Sequence, residues 1–143
     1  MHEIDNASYI SFTTFTRDGR RKPTPVWVTG ANGTYRFYTG VNSWKAKRLR
    51  NTRDIEVCVC DARGRVKPGT TIYRGTAELR TDQASIDAVI AAISAKYGWM
   101  ARLVKVTDAI KSRLGRGEPP VAIHIKLVKP SLQHRSQGQP RPD

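Results

Sequence analysis

Thr39, Ser43 and Lys45 form the spacing in this chain that is most suggestive of chemistry. Two hydroxyls and an ammonium stand close together, with Gly40 between them. Such a set suits a phosphate. Hydroxyls donate to its oxygens, the ammonium balances its charge, and glycine lets backbone N–H groups come near. Lys47, Arg48, Arg50 and Arg53 continue the positive run, and Asn51 adds an amide. A competing reading makes the later cations the wet face of a helix.

The local elements explain why these residues would converge. Thr34–Thr39 (TYRFYT) reads as a strand, followed by a turn at residues 40–42. Ser43 is a natural N-cap for a helix over Ser43–Asn51, whose small apolar face is Ala46 and Leu49. A helix start carries unpaired N–H groups and the positive end of the dipole, which favours an anion. Lys45 in the first turn opposes that dipole. A bound anion would resolve the conflict.

The rest of the chain reads mainly as strands. Ser8–Thr16 is β-branched and aromatic, Asp18-Gly19 is a hairpin pair, and Lys22–Thr29 is the return strand. Pro23 and Pro25 cannot donate to a ladder, so that strand must lie at an edge or a strand start. Asn32-Gly33 marks a second hairpin. Ile55–Asp61 and Thr70–Arg80 are further strands, with Gly75 at a bulge or bend. Ile86, Val89, Ile90, Ile93 and Tyr97 form one helical stripe, ended or capped by Gly98. Trp99, Leu103, Val106, Ile110 and Leu114 form a second stripe, with Trp99 as a core residue. Val121–Val128 alternates as a strand.

The predicted order is β-β-β-α-β-β-α-α-β. It implies a mainly β domain over residues 1–130, an antiparallel β-barrel with helices. Residues 131–143 read as a disordered basic tail.

Charge sets the partner class. Twenty-five Lys and Arg against 12 Asp and Glu give a net +13, which points to anionic partners. The mean hydropathy of −0.52 suits a soluble chain, and no apolar run is long enough to cross a bilayer. The first residues lack a signal-peptide pattern, so a cytoplasmic protein is expected. Cys58 and Cys60, two apart on a strand, share a face but suit neither a disulfide nor, without further ligands, a metal. No catalytic triad or H-E-x-x-H pattern appears. His124 reads as a surface or interface residue, and Trp44 as lining a cleft or a subunit contact. Tyr73 and Arg74 read as core and rim. Nucleic-acid binding lacks a recognition module and interleaved aromatics.

Three segments together resemble a known family. Thr13–Trp27 (TTFTRDGRRKPTPVW), Tyr38-Thr39 with Ser43-Trp44-Lys45 and Arg48–Asn51, and Asp61–Gly64 resemble the split β-barrel proteins related to pyridoxamine-phosphate oxidase. Within that group they are most similar to the branch that uses the deazaflavin coenzyme F420. The resemblance spans about Ser8 to Val128. It implies a homodimer with cofactor in a cleft shared by both protomers. It also implies reduction of a small organic electron acceptor by reduced F420. Thr39, Ser43 and Lys45 would then hold the phosphate, with Lys47, Arg48 and Asn51 nearby. Pro25, Val26 and Trp27 would lie beside the tricyclic ring.

One departure bears on the cofactor. The flavin mononucleotide branch typically has Ser-Arg-Lys where this chain has Ser43-Trp44-Lys45, so one cation is missing. Coenzyme F420 carries a phosphodiester and a polyglutamate tail, which suit the cations of Lys45–Arg53 and Arg63–Lys67. Flavin mononucleotide is the alternative cofactor. A non-catalytic F420 carrier, a flavin- or haem-binding protein of the same fold and, ranked below these, a basic nucleic-acid-binding protein are the alternative functions.

Overall fold

The computed structural model describes residues 2–104 and 118–128. The elements are α1 (His2–Asp5), β1 (Ile10–Phe15), β2 (Arg21–Val26), β3 (Thr29–Ala31), β4 (Thr34–Gly40), α2 (Trp44–Leu49), β5 (Asp54–Val59), β6 (Tyr73–Arg80), α3 (Gln83–Val104) and β7 (Pro120–Leu127). The strands form one seven-stranded antiparallel sheet in the order β2-β1-β5-β6-β7-β4-β3.

That sheet is curled into a half-barrel. β1 and β4 stand four strand spacings apart, about 19 Å if the sheet were flat. Yet the rings of Phe12 and Phe37 meet edge-on with centroids 4.8 Å apart. The inner face therefore closes on itself around Ile10, Phe12, Phe37, Val57, Ile123 and Ile125. Only Trp27 and Val28 separate β2 from β3, the two edge strands. That short link holds the edges within about 10 Å there.

The single strand expected over Lys22–Thr29 is thus two strands at opposite edges. The expected edge position of Pro23 and Pro25 holds, since β2 pairs only with β1. The hairpin at Asn32-Gly33 also holds. Both residues have positive φ, 55° and 88°, as a turn matching the strand twist requires.

α3 lies on the outer face of β4 and β7. Ile86, Val89, Ile93 and Tyr97 recur at three- and four-residue steps and pack on Ala122, with Trp27, Tyr38 and Ile90 at the margin. Asp82 caps this helix by accepting the Ser85 N–H at 3.0 Å. The helix does not end at Gly98, contrary to expectation. It continues to Val104, since one helical glycine costs only about 1 kcal/mol. The remainder of the second stripe, to Leu114, and the expected tail over residues 131–143 lie outside the described residues.

α1 was not legible beforehand. Its Ile4 is fully buried in the inner core. Asp5 accepts hydrogen bonds from the Tyr35 hydroxyl at 2.5 Å and from the Asn32 N–H at 3.2 Å. Burial, with Asp5 beside it, pushes the Tyr35 phenol up to about 12. No helix among the described residues is long and apolar enough to cross a membrane.

Candidate functional site

The junction of β4 and α2 is a tight turn. The Ser43 N–H donates to the Gly40 carbonyl at 3.0 Å, and the Ser43 hydroxyl caps α2 by accepting the Ala46 N–H at 3.2 Å. The cap prediction holds, and one lone pair of that hydroxyl is committed to it. Thr39 lies half-buried on the same strand face as Tyr35 and Phe37 and pairs with Val121. Lys45 is half-buried in the first turn of α2, a helix with no acidic residue in that turn. Thr39, Ser43 and Lys45 are thus brought to one turn.

The later cations take different roles. Lys47 is exposed, and its ammonium lies 4.6 Å from the centre of the Trp44 ring. Arg48 spans two contacts, with its guanidinium carbon 5.7 Å from that ring and its Nη1 donating to Thr14 Oγ1 at 3.4 Å. Arg50 donates to the Val41 carbonyl at 3.1 Å and so braces the turn. Asn51 is exposed just beyond the helix. Trp44 is 67% exposed, as its helical phase predicts.

Arg48 links α2 to the inner face of β1 and β2, where Thr14 pairs with Lys22 and Phe12 with Thr24. The Thr24 hydroxyl is buried and has no hydrogen-bond partner among the described residues. A buried hydroxyl without a partner is costly, and it marks a position where a polar ligand group would be welcome. The sequence offered Thr14 and Thr24 only as members of the motif Thr13–Trp27, and strand register is what sets Thr14 beside Arg48.

The ring-side candidates lie at the other end of β2. Pro25 is exposed, and the turn at Gly64 packs against it. That turn is ordered by Asp61, whose Oδ1 accepts the N–H groups of Arg63 and Arg65, each at 2.9 Å. Val26 instead faces inward onto the core. Trp27 stacks on Tyr97 at 4.5 Å with the rings 6° from parallel. The Tyr97 hydroxyl accepts the Val28 N–H at 3.2 Å, and Lys96 donates to the Val28 carbonyl at 2.7 Å. α3 therefore satisfies the backbone of the link that leaves the sheet. Of the three, Pro25 alone is exposed, whereas Val26 and Trp27 set the rigidity of the strand end.

Thiol and imidazole chemistry find little support. Cys58 and Cys60 are free; burial pushes Cys58 up and Cys60 up to about 11, so both stay thiols at neutral pH. Among the described residues no cluster of His, Cys, Asp and Glu can hold a metal. His124 stands between Arg36 on β4 and Glu78 on β6, and its buried Nε2 has no hydrogen-bond partner among the described residues. Burial first, then Arg80 and Arg36, lowers its pKa against the opposing pull of Glu78 and Asp82. The unfolded chain, with an imidazole near 6.5, then takes up a proton that the native state refuses. The stabilisation is complete above about 6.5 and is lost as pH falls below it. Urea midpoints are expected to drop between pH 7 and pH 5.5, and His124→Gln to flatten that part of the profile. An unchanged slope in the variant would assign the loss to other groups.

Comparison with known proteins follows the same architecture. A solved F420 reductase is 16% identical, with 90% of this chain and 92% of that chain covered at a TM-score of 0.60. A conserved hypothetical protein from Mycobacterium tuberculosis is also 16% identical, over 99% of this chain and 87% of its own, at 0.61. The heme storage protein HutZ of Vibrio cholerae is 10% identical, over 87% and 84%, at 0.61. At such identities the likeness concerns the fold. No curated protein matches the sequence. Residues 2–123, however, match the pyridoxamine 5'-phosphate oxidase family, and on that match and the curled sheet the chain belongs to this family.

Proposed function

We propose that this protein is an F420H2-dependent reductase, a homodimer that holds the deazaflavin at its subunit interface and reduces a small organic acceptor. The observation that carries the reading is the β4–α2 turn. Thr39 lies at the end of the strand before it, Ser43 caps the helix after it, and Lys45 lies in a first helical turn that has no acidic residue, inside a family whose fold an F420 reductase shares. The residues fit the group. Lys45 offers the charge, and the Thr24 hydroxyl, without a hydrogen-bond partner among the described residues, offers a polar contact. Pro23 and Pro25 line a strand edge that a ring can approach.

When bound, reduced F420 supplies the hydride. The chain's own residues bind and orient. Lys45 neutralises the phosphate. Lys47 and Arg48, with Arg63 and Arg65 across the Pro25 surface, extend the positive field toward an anionic tail. The Trp27–Tyr97 stack fixes the end of the ring-side strand, so that the surface beside the ring is preorganised.

The test is an equilibrium titration of the purified protein with F420, flavin mononucleotide and flavin adenine dinucleotide. Steady-state oxidation of F420H2 with a panel of acceptors follows. Tight F420 binding with acceptor-dependent oxidation is the expected result. Tight binding of a flavin with none of F420 would defeat the reading. F420 binding without turnover on any acceptor would make the protein a carrier.

A further inference from the structure

Glu118 stands against the turn that the functional reading gives to a ligand. Its Oε2 accepts the Asn42 backbone N–H at 2.8 Å. Its carboxyl packs so closely on Gly40 that a Cβ there would lie 2.5 Å from the carboxyl carbon. The backbone beside it is fixed twice. The Val41 N–H donates to the Pro119 carbonyl at 2.8 Å, and Gly40 pairs with Pro120 at the start of β7. The carboxylate is therefore held against the turn.

We propose that Glu118 determines which phosphate this turn accepts, favouring a singly charged phosphodiester over a doubly charged phosphate monoester. The proposal deepens the reading of Thr39–Lys45 as a phosphate site and rests on it. Repulsion between a tethered carboxylate and a ligand phosphate scales with the ligand's charge. A monoester approaches two negative charges above its second pKa of about 6, whereas a diester keeps one. The same carboxylate then opposes the monoester about twice as strongly in free energy, so its effect on affinity is about the square of that on a diester. A deazaflavin coenzyme presents a diester at this point and flavin mononucleotide a monoester. Glu118 thus acts in the same direction as the absence of the arginine whose place Trp44 takes.

The experiment uses methyl phosphate and dimethyl phosphate at pH 8 as probes, with the Asn42 amide resonance as the readout. Wild type is compared with Glu118→Gln, which keeps the size and an accepting oxygen and removes only the charge. The substitution is expected to tighten methyl phosphate about tenfold and dimethyl phosphate about threefold. Equal gains, no gain, or an Asn42 amide that neither probe moves would overturn the proposal. F420 and flavin mononucleotide are then titrated against both proteins. If the small probes follow the expected pattern and neither cofactor binds, the cofactor reading fails and the role of Glu118 stands. If F420 binds and the substitution leaves the ratio of the two cofactor affinities unchanged, the role of Glu118 fails and the cofactor reading stands.

Discussion

Gly75→Ala is expected to destabilise the fold by about 3 kcal/mol, a large share of the stability of a domain this size. Gly75 sits mid-strand in β6, between Ile55 of β5 and Leu127 of β7. A Cβ there would run into the Lys126 carbonyl oxygen and lie 2.9 Å from the Leu127 Cα. Both are backbone atoms, so no rotamer change relieves the clash. β7 would have to move away, and with it the pairing to β4 that carries the candidate turn. Leu127 and Val128 also donate to the Gly33 and Arg74 carbonyls, each at 2.8 Å, so a shift of β7 strains contacts on both sides. Urea unfolding followed by far-ultraviolet circular dichroism measures the change. A loss under about 1 kcal/mol would mean that the sheet yields more easily than its pairing indicates.

Lys45→Ala carries the second large effect. It is expected to weaken F420 binding by about ten- to a hundredfold, the range for removing a charge-assisted hydrogen bond of about 1.5–3 kcal/mol. Stability should barely change. Lys45 is only half-buried, alanine is the best helix former, and the Ser43 cap on the Ala46 N–H is untouched. The two readouts separate binding from folding. An unchanged dissociation constant with an unchanged urea midpoint would place the phosphate away from this turn.

The two variants probe different levels of the same design. Gly75 acts through the register that brings Gly40 opposite Pro120. Lys45 acts through the chemistry at the end of that register. Under the proposed function the cofactor carries the redox step, and shape and charge at the site would suffice without a general base.

Much of this was legible in the chain. Alternation in Val121–Val128, the Asn32-Gly33 turn, the edge prolines and the Ser43 cap are all local. Each depends on φ, ψ and side-chain direction within a few residues, and each appears as expected. The barrel followed from counting short strands that need protected edges. Gly98 misled because a single glycine's helix cost is small enough for α3 to run through it to Val104. The strand read as continuous through Thr29 misled for a different reason. Nothing local records that Trp27 and Val28 leave the sheet to cross between its edges and are held there by Tyr97 and Lys96 of α3.

The candidate site divides in the same way. The sequence by itself determined that a hydroxyl-glycine-hydroxyl junction with Lys45 would open a basic helix, since turn, cap and first turn are neighbours along the chain. Only the tertiary structure decided what faces that junction. Glu118, 76 residues from Asn42, reaches its N–H because β7 pairs with β4 and delivers its leading residues to the turn. Strand register fixed that meeting, and register depends on burial summed over whole strands rather than on any residue near the turn.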